Sequence, residues 1–198
     1  MTSLLLFDLD GTVVDTAYDL IETANKVFSN NNKPMISYEI GREIASDGVM
    51  AFLRLRFDEK KDNFDLLSEE FLKIYSQNFL NNPLLFEGFE RLFLDLESVG
   101  IRWGIVTNKP RYFSEKIINY HNLTNQCSVL MCGDDHGFNP KPSPDLLLEA
   151  CRLLEVKASD AIYIGDGHRD ILSAKSAKIT SILACYGYLK KSDSIAEW

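Results

Sequence analysis

Short, wholly apolar runs alternate with helical periodicity along most of this chain, and polar links separate them. Leu4–Phe7 is apolar at every position, as a strand covered on both faces must be. Similar runs recur at residues 103–106, 128–131, 161–164 and 179–183. Between them, Phe89, Leu92, Phe93, Leu96 and Val99 fall at i, i+3, i+4, i+7 and i+10, a predicted helix closed by Gly100. Leu147, Ala150, Cys151 and Leu154 repeat the rule, entered through Ser143 as N-cap and Pro144 as first helical residue. Strands alternating with helices imply right-handed crossovers. The predicted fold is α/β, a doubly wound, Rossmann-like parallel sheet with helices on both faces.

One stretch breaks the alternation. Residues 16–82 hold no run that reads as a buried strand. They carry helical patterns near 18–30, 38–45, 49–57 and 66–79, joined by polar links at 30–34 and 58–63. The expectation is a small all-helical insert after the first strand (16–82) and a core built from 1–15 and 83–198. The charged stretch at 58–65 reads as a solvated loop.

Composition changes this picture little. At 198 residues, 45% hydrophobic and 25% charged, the chain suits one globular domain or a core with a modest insert. A net charge of -8 argues against a nucleic-acid surface, which needs clustered Lys and Arg. Cys127, Cys132, Cys151 and Cys185 show no CxxC spacing and read as reduced side chains. No N-terminal leader and no membrane-length apolar run is visible, so a cytoplasmic protein without a membrane partner is expected. No pattern fixes an oligomeric state.

Ligands of a parallel sheet gather beyond the carboxyl ends of its strands. Asp8, Leu9, Asp10, Gly11 and Thr12 follow the first predicted strand. Thr107, Asn108 and Lys109 follow the second, and Gly165, Asp166 and Gly167, with Asp170 beyond, follow the fourth. Lys141 precedes a helix suited to the same edge. Four carboxylates, a hydroxyl and an ammonium converging on one rim need a counter-ion, and a hard divalent cation with oxygen ligands removes their mutual repulsion. Each piece also has a plain reading. Asp-Gly pairs make turns, Thr107-Asn108 caps a helix, Lys141 between prolines can be a loop lysine, and Asp170 suits a helix N-terminus.

In their order and spacing, Asp8-Leu9-Asp10-Gly11-Thr12-Val13-Val14-Asp15-Thr16, Thr107-Asn108-Lys109, Lys141-Pro142-Ser143-Pro144 and Gly165-Asp166-Gly167-His168-Arg169-Asp170 resemble the four signature motifs of the haloacid dehalogenase-like hydrolase superfamily. The helical insert is similar to that superfamily's cap. Within it, residues 85–88, 103–110 and 186–188 resemble the branch of phosphoglycolate phosphatases and N-acetylmuramic acid 6-phosphate phosphatases. The resemblance implies a Mg²⁺-dependent phosphatase acting on a small-molecule phosphate ester through an aspartyl-phosphate. Asp8 would be nucleophile and Asp10 general acid and base. Thr107, Asn108 and Lys141 would bind the phosphate, and Asp8, Asp10 (by its carbonyl), Asp166 and Asp170 would hold Mg²⁺. Asp10 points to phosphoryl transfer, because a halide leaving group needs no proton. A phosphoglycolate-type substrate is expected first, with a sugar phosphatase, a phosphomutase and a silent binding domain as alternatives. Departures from the pattern are Lys178, where the family usually has Gly, and an end at Trp198 where a further strand and helix generally follow. His168 and Arg169 read as rim residues.

Substrate choice would fall to the cap. Ser46-Asp47-Gly48, at a break between helical patterns, is the candidate selecting loop, and a simple inter-helix turn fits it as well. Asp47 there would repel a substrate carboxylate and suit sugar hydroxyls or an amide, unless Arg42 or Arg54 offsets its charge.

Overall fold

In the computed structural model, which describes residues 2–198, five strands form one parallel sheet. Met1, first residue of the expected core, lies outside the described residues. In chain order the elements are β1 (Leu4–Phe7), β2 (Val14–Asp15), α1 (Ala17–Asn30), α2 (Tyr38–Arg42), α3 (Val49–Arg54), α4 (Phe64–Asn78) and β3 (Leu84–Leu85). There follow α5 (Phe89–Ser98), β4 (Arg102–Thr107), α6 (Arg111–Tyr120), β5 (Leu130–Cys132), α7 (Asp145–Leu153), β6 (Ala161–Gly165), α8 (His168–Ala177) and β7 (Thr180–Leu183). The strand order is β5-β4-β1-β6-β7, the doubly wound arrangement that the alternation predicts. β1 lies at the centre, with Leu4 opposite both Arg102 and Ala161 and Phe7 opposite both Ile105 and Ile164.

The period of two along β1 divides the core. Leu4 and Leu6 face one way, packing with Val106, Leu146, Leu147, Tyr163 and Ala174 under α7 and α8. Phe7 faces the other way, edge-on to Phe89 and Phe93, and Phe93 stacks on Trp103 with ring centroids 3.9 Å apart. That second cluster runs on into the cap through Leu20, Phe28, Phe52 and Phe71. Helices α1 to α4, the expected cap, are therefore packed on the sheet side of the molecule through this shared cluster.

Differences from expectation are local. Helix 38–45 stops at Arg42 and a 3₁₀ turn, Ala45–Asp47, replaces its end. Helix 49–57 likewise stops at Arg54. α7 is entered at Asp145 with Pro144 at the cap position, and Ser143, one residue earlier, donates from Oγ to Asp145 Oδ1 and accepts from the Asp145 N–H at 3.4 Å. Val99 lies beyond α5 and is exposed. The antiparallel ribbon of β2 with β3, pairing Val14 with Leu85 and Asp15 with Leu84, joins the two chain crossings into the cap. Two-residue strands have no periodicity to detect. Lys178, in place of the usual glycine, ends α8 with φ +58°. All four cysteines are free, and among the described residues no helix is long and apolar enough to cross a membrane.

Candidate active site

The order of strands reverses between β1 and β6, and that is where the acidic residues collect. Asp8 follows β1 and Asp166 follows β6. Asp170 stands in the first turn of α8, where its Oδ2 accepts from the Gly167 backbone N–H at 2.9 Å. All three are buried, and one oxygen from each lies within 4.8 Å of the others. Gly11 makes this approach possible. At φ +81° it has no Cβ, and one there would stand 2.2 Å from Asp166 Oδ2.

Lys141 is the cation inside the cluster. Its Nζ lies 2.9 Å from Asp8 Oδ1 and 2.6 Å from Asp170 Oδ1, and it donates to Tyr163 Oη at 2.7 Å and Val106 O at 3.1 Å. Its side chain is 1% exposed. Burial works against that charge, but the carboxylates of Asp170 and Asp8 outweigh it and hold the ammonium above its usual pKa. One lysine is not enough for three acids. Burial pushes Asp8 up to about 6, with Asp170 adding to it and Lys141 opposing it. Burial, Asp8 and Asp170 push Asp166 up to about 7. Asp166 Oδ1 is also buried without a hydrogen-bond partner. An orphaned acceptor among crowded carboxylates fits a bound divalent cation.

The remaining motif residues divide between the cavity and its support. Thr107 is buried at the end of β4 and its Oγ1 accepts from the Lys109 N–H at 3.2 Å. Asn108 and Lys141 clamp each other. The amide Nδ2 donates to Lys141 O and the Lys141 N–H donates to Asn108 Oδ1, both at 2.8 Å. The Asn108 side chain is thereby engaged within the protein. Asp10 accepts from Thr16 Oγ1 at 2.6 Å and from Lys109 Nζ at 3.1 and 3.0 Å, and Lys109 also donates to Tyr75 Oη of α4 at 2.7 Å. Burial opposes the Lys109 charge, and Asp10 and Tyr75 more than restore it.

A cavity of about 280 Å³ opens above Asp8, Asp10, Thr107, Asn108, Lys109 and Lys141. The cap wall is mostly apolar, from Leu20, Val49, Phe71 and Leu72. Ser46 and Gly48 reach the lining, and Ser46 Oγ donates to Asp166 Oδ2 at 2.8 Å. Asp47 is placed differently from its two neighbours. It is not among the lining residues, and its carboxylate pairs with Arg169 at 2.8 Å and with Lys190. The cations that offset it are therefore Arg169 and Lys190. Arg42 donates to the carbonyls of Gly187 and Tyr186, and Arg54 pairs with Glu59.

Sequence reasoning passed over four contributors. Lys109 stands in a motif but was given no role. Tyr75 was one more aromatic on an amphipathic helix. Tyr163 reads as core. Tyr188, quoted only for its local resemblance, donates its N–H to Asp166 Oδ2 at 2.7 Å and its hydroxyl to Asp15 Oδ1 at 2.7 Å. A hydroxyl at a strand end or within an apolar helix face was the available signal, but nothing local says where it points.

Comparison with known proteins identifies a family. A family model described as haloacid dehalogenase-like hydrolase matches residues 5–184. The phosphoglycolate phosphatase of Xanthomonas campestris pv. campestris is 37% identical over 195 residues, covering 98% of this chain and 88% of that protein. N-acetylmuramic acid 6-phosphate phosphatase of Pseudomonas putida is 34% identical over 196 residues, covering 98% and 87% respectively. A solved haloacid dehalogenase-like family hydrolase from Streptococcus pneumoniae shares the fold with a TM-score of 0.87 at 17% identity, covering 98% of this chain and 90% of that one.

Proposed function

The chain belongs to the haloacid dehalogenase-like hydrolase family, and from that membership we propose that it is a Mg²⁺-dependent phosphatase working through an aspartyl-phosphate on Asp8. The observation that carries the proposal is the buried trio Asp8, Asp166 and Asp170, the first and last paired with Lys141, with Asp166 Oδ1 left unpartnered among the described residues. Asp8, the backbone carbonyl of Asp10 and Asp166 would hold the metal. Both oxygens of Asp170 already accept from Lys141, Tyr163 and Gly167, which suits it to act through water. The cation, when bound, cancels the repulsion between an anionic nucleophile and an anionic ester.

The protein's own groups would do the rest. Asp8 Oδ1 accepts from the Leu9 N–H and from Lys141, and Oδ2 has no donor among the described residues, so Oδ2 is the oxygen free to attack phosphorus. As the Asp8 oxygen bonds to phosphorus, the bond to the ester oxygen breaks and Asp10 gives that oxygen a proton. Water then attacks the same phosphorus and gives its proton to Asp10, and the Asp8–phosphorus bond breaks to release inorganic phosphate. Lys141 would neutralise charge on the transferring group, and Thr107 Oγ1 and the Asn108 N–H would bind its oxygens. The apolar cap wall excludes water from the ester side.

A small ester of the phosphoglycolate type is the first substrate reading, supported by the 37% identity to the Xanthomonas protein and by the modest cavity. The Pseudomonas relative supports a sugar phosphate as the second. A phosphate-release screen over glycolate, sugar and amino-sugar phosphates, with and without Mg²⁺, tests both. Turnover of none of them would sink the proposal.

A further inference from the structure

Lys109 is a buried ammonium inside the cavity that the mechanism leaves without a task. Its side chain is 5% exposed, and Nζ holds both oxygens of Asp10 and the hydroxyl of Tyr75. Securing Asp10 does not by itself require this lysine, because Thr16 Oγ1 already donates to Asp10 Oδ1 at 2.6 Å. Its surroundings, Leu20, Phe71, Leu72 and Phe113, offer a substrate no hydrogen bond, and the remaining lining cation besides Lys141, Arg169, is paired with Asp47. Lys109 and Tyr75 are thus the polar donors available on the ester side. What Nζ already grips is a carboxylate, through both of its oxygens.

We propose that Lys109, assisted by Tyr75, recognises a carboxylate on the leaving group, and that Asp10 occupies its bonds until such a substrate enters. The inference rests on the phosphatase reading above and adds a specificity-determining residue to it. In a phosphorylated 2-hydroxy acid the carboxylate sits on the carbon that bears the scissile oxygen. The group that protonates that oxygen and the group that grips the carboxylate must then adjoin, as Asp10 and Lys109 do at 3.0 Å. An ammonium has three donors, enough for Tyr75, one Asp10 oxygen and one substrate oxygen. The substrate class favoured is therefore a phosphate ester with a carboxylate beside the scissile oxygen.

The test compares kcat/KM for 2-phosphoglycolate and for 2-hydroxyethyl phosphate, which replaces the carboxylate with a neutral group of similar size. The native enzyme should prefer the acid by about tenfold or more, the worth of a charge-assisted hydrogen bond. Lys109→Met should cut that ratio by about tenfold, mainly through KM for the acid, whatever happens to the absolute rates. Tyr75→Phe should cut it less. Equal losses on both esters at an unchanged ratio would mean that Lys109 only props Asp10, and the proposal would be overturned. A native enzyme without preference overturns it too, even if Lys109→Met fails to fold. Turnover of sugar phosphates but of neither ester overturns it as well, and if the native protein turns over no phosphate ester, the phosphatase reading fails instead. Calorimetric binding of both esters to the Asp8→Asn protein then decides the assignment, and equal affinities would reject it.

Discussion

Asp8, the proposed nucleophile, is crowded by two other buried acids, and Lys141 offsets part of that crowding. Replacing Lys141 by Met would leave Asp8 and Asp170 facing each other in a buried site. A loss of about 3–5 kcal/mol is expected in urea denaturation, the usual cost of removing one partner from a buried pair. Asp8→Asn should fold, by circular dichroism, and release no phosphate. Acidity follows from the same crowding. Asp8 at about 6 and Asp166 at about 7 keep protons in the folded state that the unfolded chain sheds near 4. Stability of the metal-free protein should therefore fall as pH rises from about 4 through about 7, and these two groups should add no further slope once Asp166 has fully ionised. A thermal scan series without Mg²⁺ checks the sign, and a melting temperature that climbs across this range would contradict the raised acids. Asp8, Asp166, Asp170 and Lys141 were legible because each stands at a strand end or a helix entry, where topology fixes direction. The contacts that hold Asp10 were not, because Lys109 is 99 residues from it, and Tyr75, which holds Lys109, is 34 residues from that lysine in another layer.

At the scale of elements, the cap meets the core through a few polar contacts around the cavity: Ser46 to Asp166, Asp47 to Arg169 and Lys190, Arg42 to the carbonyls of 186 and 187, and Tyr75 to Lys109. The Asp47 pairs are partly exposed, so Asp47→Ala should change unfolding free energy by no more than about 1 kcal/mol. It should also leave the preference among phosphate esters unchanged, because the carboxylate does not line the cavity. A kinetic comparison of sugar and acid phosphates checks this, and a shifted preference would return Asp47 to the role of selector. The expectation that Asp47 repels an acidic substrate rested on an uncompensated charge. Its compensation comes from α8 and the segment after β7, more than 100 residues away, and local sequence cannot announce such a pairing. The helix periods of the cap were legible, but their ends were not. Helix 38–45 gives way early to the 3₁₀ turn that lets Ser46 reach Asp166.

For the molecule as a whole, a metal that binds the folded state alone must stabilise it. Mg²⁺ at about 100 times its dissociation constant should add about 2.7 kcal/mol, visible as a rise in melting temperature that Asp166→Asn loses. An equal rise in that variant would place the metal elsewhere. The doubly wound parallel sheet followed from the alternation of apolar runs and helical periods, whereas the order of its strands and the packing of the cap wall over the cavity depended on contacts that no periodicity encodes. One consequence of the central position of β1 concerns synthesis. Leu4–Phe7 is made first, yet its neighbour Ala161–Gly165 is made near the end. At ~5–20 residues per second, the most apolar strand waits on the order of ten seconds or more with one edge bare.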